Sequence, residues 1–140
     1  MTSIENISGP EMGHLLKGFG INLLVSNTER TATFLKTVLG FECLRLSPDY
    51  AVLKHGDTLY QLHSDSTYGS HPLLSVIPEN GARGAGIELR LFQVDPDDAE
   101  RKAVKGDYHV LQNTANKPHG LRECFLLDPD GYCWVPSIRI

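Results

Sequence analysis

One order of elements occurs twice along this chain, and that repetition narrows the possible folds more than any other feature. The first copy opens at residues 19–25, where apolar residues alternate imperfectly and end on a β-branched valine, as in a half-buried strand. Ser26 and Glu29 then stand at capping-box spacing. Phe34, Leu35, Val38 and Leu39 follow at helical spacing, up to a helix-ending Gly40. Short strands are expected at 41–46, 50–54 and 58–63, divided by Ser47-Pro48-Asp49 and His55-Gly56-Asp57, both turn compositions.

The second copy opens with a strand at 86–94. Asp95 caps the next helix, Pro96 takes its first position, and Asp97 and Asp98 face the positive end of its dipole. That helix runs to about Val104 and stops at Gly106, and strands are expected at 108–112, 121–127 and 132–137. Val25 and Val94 each precede a helix cap, so the offset is 94 − 25 = 69 residues. The chain therefore reads as a tail (1–17), a first βαβββ module (18–66), a linker (67–85) and a second βαβββ module (86–140), one structural domain overall. The fold class is α+β, with curved, largely antiparallel sheets around a pocket. Residues 1–17 are polar and broken by Gly9-Pro10, and Leu15 and Leu16 are their expected apolar contact.

Charge excludes some partners. The net charge is −4, and no Lys/Arg cluster is longer than Arg101-Lys102, so no nucleic-acid partner is expected. No apolar run approaches the length of a membrane span. Residues 1–17 lack a basic start followed by an apolar stretch, so no secretory leader is expected. Cys43, Cys124 and Cys133 have no CxxC spacing and read as reduced thiols of a cytoplasmic protein.

Residues 120–134 place an Asp128-Pro129-Asp130-Gly131 turn between Gly120-Leu-Arg-Glu-Cys124 and Tyr132-Cys-Trp134. That stretch resembles the last hairpin of the glyoxalase/bleomycin-resistance/dioxygenase (vicinal oxygen chelate) superfamily. Residues 25–41, from Val25-Ser-Asn-Thr-Glu29 to Val38-Leu-Gly-Phe41, look like the same family's first helix. The resemblance implies a pocket inside curved sheets, a homodimer and, in the family's enzymes, a divalent metal held by His, Glu or Gln on the first and last strands of each module.

Carried over position by position, those ligands fall at Gly20, Gln61, Leu89 and Val135, or at Glu88 in place of Leu89 if a bulge near Phe92-Gln93 absorbs one residue. Glycine, leucine and valine have no donor atom, so at best Gln61 and Glu88 remain. Catalytic zinc sites keep about three protein ligands. The expectation is therefore a small-molecule-binding protein with no cofactor. The alternative is a metal-dependent lyase, isomerase or dioxygenase with a site completed across a dimer.

Asn22 is expected to line the pocket beside Gly20. Gln61 and His63 share one strand face, which suits either a pocket or a solvent-facing edge. Glu88 and Arg90 share another, as a ligand anchor or an internal ion pair. Arg122 carries the same ambiguity, and Glu123 is the candidate general base. Trp134 is either a stacking surface for a ligand or a core filler. His119, beside Gly120, would rim the pocket.

Overall fold

The computed structural model describes residues 4–66 and 71–140. The chain divides into two compact units, residues 1–36 with 40–71, and residues 72–140 with 37–39. The sheets are four-stranded, in the orders β1 (Ile21–Val25), β4 (Thr58–Ser64), β3 (Tyr50–His55), β2 (Glu42–Leu46) and β5 (Glu88–Phe92), β8 (Cys133–Arg139), β7 (Leu121–Leu127), β6 (His109–Asn116), so the expected duplication is present.

In the first unit β1 (Ile21–Val25) leads through α2 (Thr28–Leu39) to β2 (Glu42–Leu46), β3 (Tyr50–His55) and β4 (Thr58–Ser64). β1 pairs with β4 in parallel, while β2–β3 and β3–β4 are antiparallel. The cap of α2 lies one residue later than Ser26. Asn27 is the N-cap, its side chain accepting from the Arg30 N–H at 2.8 Å, and Ser26 Oγ accepts from Arg30 Nη2 instead. Asn and Ser cap comparably well, so spacing to Glu29 alone misplaced the start. Gly40 at φ 74° ends α2, and the Phe41 N–H turns back to the Leu35 carbonyl.

A crossover helix covers one face of its sheet. Yet Ala51, Val52 and Leu53, consecutive on β3, are all fully buried, so both faces are covered. The second cover is the amino-terminal segment, which forms a 3-10 turn (Ile4–Asn6) and a helix, α1 (Gly9–Leu15). Ser8 and Glu11 cap α1 reciprocally, with Pro10 in the first turn. Proline costs nothing there, because the N–H it lacks would have no helical partner. Gly9-Pro10 is therefore a helix start, where the sequence suggested a break. The apolar contact also differs from expectation. Ile7 and Met12 pack with Val52 against Tyr50 and Leu59, while Leu15 and Leu16 stay largely exposed.

In the second unit β5 (Glu88–Phe92) leads through α3 (Pro96–Lys105) to β6 (His109–Asn116), β7 (Leu121–Leu127) and β8 (Cys133–Arg139). Asp95 caps α3 and Gly106 follows its end, as the sequence predicts. β6 runs four residues past the expected Gln112, with register shifts that absorb its polar stretch. β5 pairs with β8 in unbroken register from Glu88 to Phe92, so no bulge shifts that strand, and Gln93, just past its end, has φ 65°. Pro96 and the buried Ala99 and Ala103 put α3 against β7, where Cys124 Sγ meets the Pro96 carbonyl at 3.5 Å.

The Asp128–Gly131 turn is fastened from within. Asp128 accepts the N–H groups of Asp130 and Tyr132 and the Trp134 indole N–H, each at 3.0 Å. Burial pushes its carboxyl up to about 6 in spite of those donors. Part of the expected linker belongs to this unit, for the Arg83 N–H bonds the Asp130 carbonyl. Gly131 has φ 84°, and a Cβ there would stand 2.6 Å from Ala82. The turn thus requires glycine on two counts.

The apolar seat of α1 is testable. Met12→Ala should cost about 2 kcal/mol in urea unfolding, because it empties a closed contact, whereas exposed Leu15→Ala should change stability by less than about 0.5 kcal/mol. Equal effects would mean that α1 does not rest on β3.

Candidate functional site

Alternation along β3 and β4 puts Tyr50, Val52, Gln61 and His63 on the face under α1. The Tyr50 hydroxyl donates to Gln61 Oε1 at 2.6 Å, and the Tyr50 and His63 rings lie 4.9 Å apart. Arg45 reaches the same place from β2. Its guanidinium sits 5.4 Å from the Tyr50 ring centre, and its Nη1 donates to the Ile7 carbonyl at 3.0 Å. Burial, and to a lesser degree charge on His71, lower the His63 pKa, so His63 is neutral at pH 7.

Two hollows open between α1 and this face. One, of about 250 Å³, has Gly9, Met12, Gly13 and Leu16 as its helix wall, with Arg45, Tyr50, Gln61 and His63 facing them. The other, of about 450 Å³, shares Leu16 and Gln61 and is bounded by Phe19, Gly20 and Asp57. Asn22 is exposed on β1, directly paired with Gln61. The first unit therefore brings Gln61 and His63 onto one face, as their alternation suggested, while Asn22 lies beside Gln61 but lines neither hollow. The unit adds Arg45 and Met12, which the sequence reading passed over. The Ser8–Glu11 capping box was the available signal for Met12, because it starts the helix that carries that residue.

The second unit builds a charged group on the sheet face away from α3. Arg90 donates to Glu88 at 3.1 Å and, through Nη2, to buried Glu123, while His119 Nε2 lies 3.5 Å from the same Glu123 carboxylate. Burial works to raise the Glu123 pKa. The Arg90 bond and charge, aided by His119, outweigh it and hold the carboxyl below its ordinary value. A carboxylate held ionised in this way lacks the near-neutral pKa that a general base needs.

Arg122 and Trp134 lie elsewhere. Arg122 grips Asp97 on α3 with two bonds of 2.7 and 2.8 Å, on the opposite sheet face from Glu123. Trp134 is fully buried beside Leu126 and spends its indole N–H on Asp128. Arg122 thus ties α3 to β7, and Trp134 fills the core of the second unit.

The donors present do not suit a divalent ion. Gly20 has open space where a Cβ would stand, so the fold has room for a ligand side chain that the sequence does not supply. Gln61 Oε1 accepts from Tyr50. The β5 partner of Val135 is Arg90, a permanent cation that already holds both nearby carboxylates. Among the described residues, no three His, Cys, Asp or Glu side chains come together as a metal site.

Comparisons with known proteins agree with this architecture. A family model described as "Glyoxalase/Bleomycin resistance protein/Dioxygenase superfamily" matches residues 12–135. Among solved structures, the chain is similar to a glyoxalase-related enzyme from Fulvimarina pelagi, with 16% identity, TM-score 0.70 and 89% of each chain covered. It is also similar to TioX from Micromonospora sp. ML1, with 19% identity, TM-score 0.64, and 88% of this chain and 100% of that one covered. Lactoylglutathione lyase from Agrobacterium tumefaciens matches at 19% identity and TM-score 0.62, over 87% and 92% of the two chains. At such identities the likeness is one of fold. No curated protein matches the chain.

The Arg90 group yields a prediction with a sign. A lowered carboxyl pKa contributes stability that is fully present above the ordinary 4.5 and is lost as pH falls through the lower folded-state value. Arg90→Ala should cost about 3 kcal/mol at pH 7, because buried Glu123 loses its guanidinium. The deficit should shrink as pH falls, starting above 4.5, where burial without the guanidinium holds the Glu123 carboxyl of the variant up, and continuing through the lowered wild-type value, which urea melts of both proteins will show. A deficit independent of pH would mean that the pair contributes only packing.

Proposed function

The chain belongs to the glyoxalase/bleomycin resistance protein/dioxygenase superfamily, and from that premise we propose that it binds a small, partly aromatic or amphipathic organic molecule without the superfamily's divalent ion. The observation that carries this reading is Arg90. It pairs with Val135 at a position where the superfamily resemblance would place a metal ligand, and it already forms ion pairs with both Glu88 and Glu123. A second cation there would have to displace a guanidinium from a buried carboxylate, which is costly. Binding an organic molecule needs only concavity, apolar wall and a few polar anchors. The α1 face of the first unit offers those through Met12, Leu16, Tyr50 and Gln61.

Free thiols at Cys43, Cys124 and Cys133 suit a cytosolic protein. No described helix is long and apolar enough to cross a membrane. The edge strands of both open sheets suit a homodimer.

Elemental analysis and thermal melts test the proposal together. Purified protein should carry no stoichiometric metal, and EDTA should leave Tm unchanged. A panel of apolar aromatic compounds should contain at least one that raises stability, by about 2.7 kcal/mol at a hundred times its Kd. Stoichiometric metal whose removal lowers Tm would favour the metal-dependent enzyme instead. A panel with no binder at all would remove the small-molecule reading.

A further inference from the structure

The smaller hollow under α1 has a composition that selects a ligand class. Its helix wall is apolar where it has side chains, Met12 and Leu16, and is bare at Gly9 and Gly13. These glycines stand four residues apart on α1, hence on one helix face. A Cβ at either would meet nothing within 4 Å, so space is left over them that no packing demand explains. The opposite wall presents the Tyr50 and His63 rings. At about 250 Å³ the hollow suits one or two fused rings, below the usual size of a drug-like site.

Its charge is one-sided. No residue lining this hollow bears a carboxylate, and Arg45 pairs with none among the described residues. Arg45 commits one N–H to the Ile7 carbonyl and its face to Tyr50, leaving most of its five donors available. With Gln61 Oε1 taken by Tyr50, the Gln61 amide nitrogen is a further donor. Neutral His63 adds no competing charge.

We propose that α1 and the β3–β4 face clasp a flat aromatic carboxylate, its ring between Gly13 and the Tyr50 side and its carboxylate on Arg45 and Gln61. This rests on the small-molecule reading above and assigns it a place and a chemistry. α1 is then a built wall of the site. It is seated by Ile7 and Met12 and fastened at its entry by the Arg45–Ile7 bond.

The test titrates the full chain with 2-naphthoate, and with 2-naphthylmethanol as the uncharged analogue, by calorimetry. Naphthoate should bind saturably and at least about tenfold tighter than the alcohol, the worth of one charge-assisted contact. Arg45→Gln should abolish that preference and Arg45→Lys should keep it. Gly13→Leu should remove binding of both compounds without lowering Tm, since a helical glycine with open space accepts a side chain. Arg101→Gln, at an exposed position on α3, should leave naphthoate affinity unchanged. The proposal is overturned if wild-type protein binds no naphthoate, if Arg45→Gln keeps the preference, or if Gly13→Leu binds as before. If the broader panel still finds a binder in any of those cases, only this placement fails and the small-molecule reading survives.

Discussion

An open four-stranded sheet has two faces, and a single crossover helix covers only one. Everything distinctive in this protein follows from how each unit treats the other face. Leaving it to water would expose Val52 in the first unit and Val135 in the second, both of which are fully buried. Burying a β-branched core residue on that side is worth about 1.5–3 kcal/mol. The sequence must therefore supply a second cover for each sheet, or groups that can sit beneath one without cost.

The two units reach different answers from the same topology. In the first, the cover is α1, and the polar groups lining the hollow beneath it are neutral apart from Arg45. The Tyr50 hydroxyl donates to Gln61 Oε1, and His63 is held uncharged by burial. In the second, the polar groups are ion-paired, with Arg90 between Glu88 and Glu123 and the His119 ring beside Glu123. A buried carboxylate is tolerable only with such a partner. The helix-side faces diverge less. Each is an apolar helix stripe on an apolar sheet, with the outer Arg122–Asp97 pair tying α3 to β7.

This contrast explains what the sequence could and could not show. Strand alternation, helix spacing and the caps at Asp95, Gly40 and Gly106 are local, and the elements they define are present near the expected positions. The pairing of Gln61 and His63 on one face, and of Glu88 with Arg90, followed from period two alone. Non-local facts were not legible. That Arg90 reaches Glu123, 33 residues away, depends on β5 lying parallel to β8 and β8 antiparallel to β7. That Trp134 faces Asp128 and Leu126 depends on the register of the last hairpin. The missed α1 is a different failure. Its signal is local and present in Ser8, Pro10 and Glu11, but glycine and proline read as breakers unless their place in the first turn is taken into account.

The asymmetry between the faces also decides where a ligand's charge is cheapest to meet. An anion approaching Arg90 must compete with two carboxylates, one buried, and winning means leaving Glu123 without its counter-charge. An anion approaching Arg45 displaces no ion pair among the described residues, and the carbonyl of Ile7 and the ring of Tyr50 both remain compatible with its arrival. The same kind of side chain is thus a structural counter-ion in one unit and an open anchor in the other. The difference lies in the neighbours, Glu123 opposite Ser137 on one sheet and Gln61 opposite Val52 on the other, since a neutral amide leaves a nearby guanidinium uncompensated where a carboxylate would have consumed it.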